Sequence, residues 1–343
     1  MMEQKKLAVI ILNWNGKSLL QKFLPAAVKF TSGPEVELIV ADNGSTDDSV
    51  VWLTANYPDL RIIKFNDNYG FAEGYNRAIA ETGYPFTILL NSDVEVTPGW
   101  WQPLLSFMEK NPDVGAVQPK IKSFNNKDFF EYAGAAGGCL DKLGYPFCRG
   151  RLFDRIEKDM GQYDNQPADI CWASGAALMV RTKLYNDLGG LDPLFFAHME
   201  EIDLCCRIWA HGYRVCILPD SEVYHVGGAS LMQGNPQKTY LNFRNNLLLL
   251  YKNLPAEKRT SKLFFRRLTD TLAFLMYAAK LDFPNAKAIL KAHSDFRKMK
   301  KNYQDIISPI DIKFPVSNRM IVLDRFLFNR QPGELTIDQN KNK

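Results

Sequence analysis

Four short apolar runs, each ending in a polar turn, constrain the fold of this chain more than any other feature of its sequence. The runs occupy residues 7–12, 36–41, 60–65 and 86–90, and apolar residues at helical spacing follow each of the first three. Continuous apolar runs of this length are typical of strands buried on both faces of a parallel sheet. Their alternation with helices predicts a doubly wound α/β sheet.

Polar side chains stand where these predicted strands end. Asp42 follows the second run, Asn68 the third and Asp93 the fourth. Right-handed crossovers bring the same ends of parallel strands to one edge of a sheet, so we expect the three side chains to converge on one crevice. Each alone is also an ordinary loop residue. Three at equivalent positions favour a nucleotide site at the edge where open α/β sheets bind ligands.

The turn after the fourth run carries two carboxylates, Asp93 and Glu95, which are two residues apart. Carboxylates at a strand end are suited to holding a divalent cation and its phosphates. The alternative is a plain turn in which Asp93 caps a helix that begins near Pro98. Neither a GxGxxG pattern nor a P-loop pattern occurs at the first turn, which disfavours a dinucleotide cofactor and a P-loop.

A second acidic group opens a predicted helix that Gly212 ends. Glu200, Glu201 and Asp203 occupy its first turn, after an apolar Phe-Phe turn. Acidic residues at this position are favoured by the helix dipole, and Asp203 is also spaced to pair with Arg207. Three acidic residues beside an apolar turn equally suit a catalytic base, so both interpretations stay open.

The second half of the chain is less regular. Residues 114–117, 176–180 and 215–218 read as strands, whereas residues 124–166 are rich in Gly and aromatic residues and predict a functional loop or lid. His225 precedes a Gly-Gly pair at a strand end. A lone His is more often structural than a ligand, but this one is better placed for binding than most.

Composition and charge limit the classes of function. The chain has 343 residues, enough for about two domains, and its net charge of +4 gives no reason to expect a nucleic-acid partner. The first strand begins at residue 7, so we expect no signal peptide and a cytoplasmic protein. None of the six cysteines forms a CxxC pair, which predicts reduced thiols and no zinc site.

The positive charge is concentrated near the C-terminus. Residues 252–301 hold 13 Lys and Arg against 4 Asp and Glu. A helix is predicted over 262–281, with apolar residues at 264, 265, 268, 272, 275, 276 and 279, and a second basic helix over 286–303. These helices either pack on the rest of the protein or rest on an anionic inner membrane surface. The uncharged stretch 271–279 is too short to span a bilayer, which takes about 20 residues.

Together these motifs resemble the family 2 inverting glycosyltransferases of the GT-A fold, and bacterial rhamnosyltransferase-like members in particular. The resemblance covers residues 7–250, and its motifs occur in the family's order. Residues 9–16 and 41–47 match the family's two nucleotide-binding turns, and residues 68–76 match its donor-lining segment. Residues 90–93 match its metal-binding DxD-like turn, and residues 196–207 match its acidic acceptor-side motif. Asn91 replaces the first Asp of the DxD pattern, and Glu201 stands where many members have an Asp base.

The resemblance implies an α/β GT-A fold, a doubly wound mixed sheet of the nucleotide-diphospho-sugar transferase type, with a C-terminal helical appendage. It places a catalytic domain at 1–250, with a nucleotide-sugar half at about 1–120 and an acceptor half at about 121–250. A basic helical appendage at 251–330 and a disordered tail at 331–343 would follow.

It also implies roles for individual residues. Glu201 would be the catalytic base, with Asp203 as a second catalytic residue that could orient it. Asp93 and His225 would bind Mg²⁺ or Mn²⁺. The donor would contact Asn13, Asn15, Asp42, Asn43, Ser45, Asn68, Gly74, Asn76, Asn91, Ser92 and Asp93. The acceptor would contact Trp172, Ser174, Gly175 and Glu200.

The implied donor is a nucleotide diphosphate sugar, with dTDP-rhamnose ahead of a UDP-sugar. The implied acceptor is a hydroxyl of a saccharide or lipid-linked saccharide in cell-surface polysaccharide synthesis, and oligomer formation stays open. Two alternatives compete. A sugar-phosphate nucleotidyltransferase is disfavoured because no Gly-rich basic loop follows the first strand. A non-catalytic nucleotide-sugar-binding protein that docks on membranes is disfavoured by the intact acidic set at 93, 200, 201 and 203.

Overall fold

The computed structural model describes residues 5–131, 133–164, 167–227, 234–303 and 316–335. The described strands are β1 (Leu7–Asn13), β2 (Val36–Asn43), β3 (Arg61–Phe65), β4 (Phe86–Asn91), β5 (Val94–Val96), β6 (Val114–Ser123), β7 (Gly138–Leu140), β8 (Pro146–Cys148), β9 (Arg151–Leu152), β10 (Arg155–Ile156), β11 (Ala168–Asp169), β12 (Ala177–Arg181) and β13 (Arg214–His225). The described α-helices are α1 (Lys17–Phe30), α2 (Ser49–Asn56), α3 (Gly70–Ala80), α4 (Gln102–Lys110), α5 (Thr182–Asp187), α6 (Glu200–Ala210), α7 (Pro236–Asn253), α8 (Ala256–Ala279), α9 (Phe283–Met299) and α10 (Ile321–Phe326).

A mixed sheet forms the centre of the molecule. Its strand order is β11-β13-β6-β12-β4-β1-β2-β3, and β5 pairs with β13. The first four strands of the chain are parallel neighbours, joined through α1, α2 and α3, as the alternating pattern predicts. β12 runs antiparallel between β4 and β6, and β13 runs parallel to β6. The predicted doubly wound mixed α/β sheet is therefore confirmed.

Burial on both faces explains the continuous apolar runs. Alternate residues of β1 enter two different hydrophobic clusters: Ala8 and Ile10 face one, and Leu7, Val9 and Ile11 face the other. Helix α3 covers the first cluster, whereas α1 and α4 cover the second. A strand covered on both sides has no solvent face, so its sequence shows no polar alternation.

The stretch 124–166 is not the irregular loop expected from its composition, because it contains the antiparallel sheet β10-β9-β8-β7. These strands have only two or three residues each, too few for a periodic signal. Strand β6 also continues past the predicted end at residue 117. Its further polar residues can be buried because each has a polar partner from another segment. Gln118 accepts a hydrogen bond from the Ser174 amide (2.9 Å), and Lys120 lies 3.1 Å from Asp159.

The C-terminal helices begin earlier than expected, and the boundary predicted at residue 250 lies inside α7. α7 packs on α6 and on α9, while α8 contacts both α7 and α9. Residues 332–334 form a short 3₁₀ turn, and the part of the predicted tail from 336 to 343 lies outside the described residues. Within the described ranges, no helix is both long and apolar enough to cross a membrane.

Candidate active site

The turns after β1 and β2 form one hydrogen-bonded group. Strand register places Asn13 beside Asp42, and Asn13 Nδ2 donates to Asp42 Oδ1 (2.9 Å) and to Ser45 Oγ (3.2 Å). The Ser45 amide donates to Asp42 Oδ2 (3.0 Å), and the Asn15 amide donates to Ser45 Oγ (2.9 Å). Four residues predicted to bind the donor are therefore neighbours at one sheet edge.

The side-chain amide oxygens of Asn15 and Asn13 differ in whether they accept a hydrogen bond. Asn15 takes a positive φ of 49°, and its Oδ1 accepts from the backbone amide of Thr46 (2.7 Å). Asn13 Oδ1 is buried and has no partner among the described residues. A buried acceptor without a partner costs about 1–3 kcal/mol, so this oxygen is suited to receive an N–H group of a bound ligand.

The third turn joins the same group. Asn43 Nδ2 donates to Asn68 Oδ1 (3.0 Å), and the Tyr69 amide donates to Asn43 Oδ1 (3.1 Å). A Cβ added to Gly74 would lie 3.0 Å from Asn43 Nδ2 and from a Leu12 methyl carbon. Glycine at this position therefore lets α3 approach the strand ends closely.

Asn76 makes different contacts from its neighbours on α3. Its Nδ2 donates to the Leu191 carbonyl (2.8 Å), and its Oδ1 accepts from the Leu191 amide (2.9 Å) and from Tyr185 Oη (2.6 Å). Both ends of the amide are thus occupied by the segment that precedes the acidic helix. These contacts favour a role in joining the donor and acceptor halves over the predicted direct donor contact.

The carboxylate turn lies between β4 and β5 and is held against the end of β13. The pairing of β5 with β13 places Val94 opposite His225. Asp93 is buried, and its Oδ1 lies 3.1 Å from His225 Nε2. Asn91 and Ser92 are half-buried beside it. The structure therefore brings the predicted metal ligands together.

His225 also contacts a residue that the sequence pattern did not single out. Its Nδ1 lies 3.2 Å from Glu131 Oε2, a buried carboxylate in the stretch expected to be irregular. Burial lowers the pKa of His225, but the two carboxylates outweigh it and raise the pKa to about 10. Glu131 can fix the ring of a metal-binding histidine through its second nitrogen.

Asp93 and His225 fit a divalent cation as two members of its ligand set. Among the described residues, no group of three or more His, Cys, Asp or Glu is arranged to hold a metal ion. Asp93 can supply one oxygen, and His225 can supply Nε2 once a bound cation displaces the proton that the two carboxylates hold on the ring. A cation such as Mg²⁺ commonly binds through one or two protein ligands, with phosphate oxygens and water completing the set.

The acidic helix α6 begins after a strained turn. Phe196, His198 and Met199 have φ values of 65°, 68° and 75°, a region that residues with a side chain rarely adopt. Burial raises the pKa of Glu201 to about 7, and burial together with the charge of Glu201 raises the pKa of Glu200 well above its usual range. Glu201 is therefore suited to accept a proton near neutral pH.

The turn 174–175 brings the donor and acceptor sides together. A Cβ added to Gly175 would lie 3.4 Å from the Phe71 ring and 3.8 Å from Glu201 Cβ. One added to Gly70 would lie 3.5 Å from the Phe196 ring. The start of α3, the acidic motif and the turn before β12 therefore meet around Glu201.

Asp203 faces away from this meeting point. It is fully buried and accepts hydrogen bonds from Arg207 Nε (2.9 Å), Lys252 Nζ (2.9 Å) and Asn253 Nδ2 (2.8 Å). Burial would raise its pKa, but Arg207 and Lys252 hold that pKa below its usual value. Asp203 thus anchors α6 on α7, and these contacts favour a positioning role over a catalytic one.

Trp172 and Ser174 lie beneath the site. Trp172 is 5% exposed, its Nε1 donates to the Cys139 carbonyl (2.9 Å), and its ring is packed against Gly138. Ser174 is also buried, and its Oγ accepts from the Ala176 amide (3.2 Å). A buried ring offers no face to a sugar, so the predicted acceptor contact of Trp172 is not favoured.

Two α7 residues hold the strained turn, and sequence reasoning missed both. Asn245 Nδ2 lies 2.9, 2.8 and 2.7 Å from the carbonyl oxygens of Phe195, Ala197 and His198. Arg244 Nη2 lies 2.9 Å from the Phe195 carbonyl oxygen. A polar Arg-Asn-Asn run inside an apolar helix was the available signal.

Comparison of the sequence with known proteins identifies the family that these motifs resemble. Residues 8–184 match the sequence model of the family described as Glycosyl transferase family 2. A relative, the N-acetylglucosaminyl-diphospho-decaprenol L-rhamnosyltransferase of Mycobacterium tuberculosis, is 28% identical over 237 residues, which cover 64% of this chain and 75% of that protein.

Solved structures show the same fold. GalNAc-T7 with UDP, GalNAc and Mn²⁺ has a TM-score of 0.57 at 16% identity, over 74% of this chain and 49% of that chain. Residues 1–349 of S. aureus TarS in complex with UDP-GlcNAc have a TM-score of 0.56 at 17% identity, over 85% of this chain and 80% of that chain. Because the family model covers half of the sequence, the chain belongs to glycosyl transferase family 2 and is a glycosyltransferase of the GT-A fold.

Proposed function

We propose that this enzyme transfers a sugar, with inversion, from a nucleotide diphosphate sugar to a hydroxyl group of a lipid-linked saccharide. The observation that carries the proposal is Glu201, a carboxyl group with a pKa of about 7 at the point where the acidic motif meets Gly175 and Phe71. Inverting transfer is one displacement at the anomeric carbon, and it requires a base for the acceptor proton. Glu201 takes that role.

The donor would lie across the ends of β1, β2 and β4. The unpaired Asn13 Oδ1 and the carboxylate of Asp42 would receive the nucleotide, while Asn43 and Asn68 close the pocket wall. Asp93 and His225 would hold Mg²⁺ or Mn²⁺, which supplies positive charge to balance the departing diphosphate. The solved structure of GalNAc-T7, which has the same fold, contains Mn²⁺, and this supports the choice of metal.

The M. tuberculosis relative is named for L-rhamnose transfer and for an N-acetylglucosaminyl-diphospho-decaprenol acceptor. We therefore place dTDP-rhamnose ahead of UDP-sugars as donor and a polyprenyl diphosphate saccharide as acceptor, in the synthesis of a cell-surface polysaccharide. Work on such an acceptor would locate the enzyme at the cytoplasmic face of the membrane.

A donor panel tests the proposal. Purified enzyme with Mg²⁺ or Mn²⁺ is given dTDP-rhamnose, UDP-GlcNAc or GDP-mannose, with and without a short-chain lipid diphosphate carrying GlcNAc. We expect dTDP release that depends on the acceptor and a product that is one sugar longer by mass. Release of pyrophosphate from a nucleoside triphosphate and a sugar phosphate would instead identify a nucleotidyltransferase. Absence of both transfer and donor hydrolysis for every donor that binds would favour a non-catalytic protein.

A further inference from the structure

Helix α8 is packed with its polar side inward. Arg266 and Asp270 are its buried residues. The Arg266 guanidinium stacks on the Tyr145 ring at 3.6 Å and lies 3.0 Å from Asp270, which in turn lies 3.0 Å from His293 Nε2. These contacts of Arg266 and Asp270 fasten α8 to the rest of the protein, and most of the apolar residues of the helix face outward.

Those apolar residues form an exposed stripe along the helix. Its members are about half exposed: Phe264, Phe265, Leu268, Leu272, Leu275 and Met276. The stripe continues past the end of the helix at Leu281 (74% exposed) and Phe283 (54%). The helical part extends over about 18 Å at 1.5 Å per residue. A contiguous apolar surface of this kind marks an interaction site.

Two arginines that form no ion pair within the described part of the chain border the stripe. A groove of about 510 Å³ between α8 and α9 is lined by Arg267 and Arg297 together with Phe274, Ile289 and Leu290. Neither arginine forms an ion pair with a described residue, whereas the acidic Asp270 and Asp295 are already paired. The groove therefore offers guanidinium groups beside apolar walls, a combination suited to phosphate groups that border hydrocarbon.

We propose that this face, the apolar stripe of α8 with the Arg267–Arg297 groove, docks on an anionic phospholipid bilayer. The stripe would enter the boundary between headgroups and acyl chains, and the two arginines would contact lipid phosphates. A second copy of the chain fits less well, because a two-fold contact brings the same patch of both copies together. The unpaired arginines of both copies would then repel each other. The inference deepens the proposed use of a lipid-linked acceptor.

Vesicle flotation of the full chain tests it. Wild-type protein is mixed with vesicles of phosphatidylcholine alone or with phosphatidylglycerol, at low and high salt. We expect flotation with the anionic vesicles that weakens at high salt. L268Q/L272Q abolishes flotation, and R267Q/R297Q weakens it roughly fivefold for each arginine. The matched control is V51Q/M160Q, which alters residues 70% and 76% exposed elsewhere and floats like wild type.

Several results would overturn the proposal. One is folded wild-type protein that stays unbound at low salt, and another is equal binding to both kinds of vesicle. A dimer that light scattering detects and that L268Q/L272Q abolishes, without flotation, would make the face an interface between copies. Turnover of a short-chain acceptor is measured in parallel and stays unchanged in these variants. Wild type that floats but transfers no sugar would contradict the transferase proposal and leave the membrane face standing.

Discussion

Glu201 is the residue on which the proposed chemistry depends. Its Oε2 is buried without a hydrogen-bond partner among the described residues, and burial raises its pKa to about 7. An ordinary exposed Glu ionises near 4.3 and is a weak base at neutral pH. The environment at the start of α6 thus converts a common side chain into one matched to proton abstraction.

Substitution of Glu201 tests this role directly. E201Q keeps the shape of the side chain but cannot accept a proton. We expect sugar transfer to slow at least ~100-fold, the lower range for a lost general base, while donor binding by calorimetry is unchanged. D203N serves as comparison. A larger rate loss in D203N, with little in E201Q, would reverse the two roles.

The pH dependence of the rate follows from the same pKa. The base acts in its ionised form, which is present above a pKa of about 7 and is lost as pH falls through it. We expect log kcat to fall with decreasing pH below about 7, with a slope approaching one. A profile flat between pH 5.5 and 8, with donor binding intact, would exclude Glu201 as the base.

Asp93 is the residue predicted to carry most of the metal binding. We expect D93A to abolish the part of donor affinity that depends on Mg²⁺ or Mn²⁺ and to leave the circular dichroism spectrum unchanged. E95A is the matched control, because Glu95 lies two residues further on, in β5, and pairs with Lys127. Metal-dependent donor affinity in D93A equal to that of wild type, by calorimetry, would remove the assignment.

At the scale of elements, the turn before α6 depends on a helix far along the chain. Its non-glycine residues with positive φ each cost about 1–3 kcal/mol and persist only where neighbouring structure holds them. The two N–H groups of Asn245 Nδ2 lie within hydrogen-bond distance of three carbonyl oxygens of this turn. Helix α7 therefore holds the turn that leads into Glu200 and Glu201.

Variants of two adjacent asparagines, Asn245 and Asn246, can distinguish an effect on the position of the turn from an effect on stability. N245A and N246A each remove a buried amide, but Asn246 donates to the Gly144 carbonyl (2.7 Å) rather than to the turn. We expect both variants to lose stability by about 1–3 kcal/mol. Only N245A should also lower kcat and shift the midpoint of its pH profile, with donor KM unchanged. Equal kcat losses in the two variants would show that Asn245 acts through stability alone.

At the scale of the whole molecule, the C-terminal helices and the catalytic sheet share one core. Leu247, Leu248 and Leu249 of α7 and Phe296 of α9 belong to the same hydrophobic cluster as Ala8 and Ile10 of β1. Lys252 also bridges Asp192 and Asp203 (2.7 and 2.9 Å). An appendage joined in this way is not expected to unfold separately.

We therefore expect one cooperative thermal transition for the full chain in calorimetry. Removal of residues 254–343 would expose the face of α7 that packs on Ala288 and Ala292 of α9, and should lower the Tm or cause aggregation. Two resolved transitions, or a truncated protein as stable as the full chain, would show that the helices form an independent domain.

The sequence alone determined the N-terminal half and the nature of the site. Runs such as residues 7–12 are apolar because both sheet faces are covered, and crossover geometry then places Asn13, Asp42 and Asp93 at one edge. The apolar runs are local signals, and the right-handed crossover is a general rule of chain topology. The order of the motifs was enough to indicate family 2.

Only the tertiary structure shows which polar residues already have their hydrogen bonds taken up within the protein. Asn76, Asp203 and Trp172 fit the family pattern, yet their hydrogen bonds are taken up by Leu191, Lys252 and Cys139. Glu131 and Asn245 lie 94 and 47 residues from the groups they hold, His225 and His198, so no local pattern identifies these partners. Burial raises the pKa of Glu201, and the long-range contact of Arg266 with Tyr145 fixes which face of α8 is outward. Neither property is encoded in the spacing of neighbouring residues.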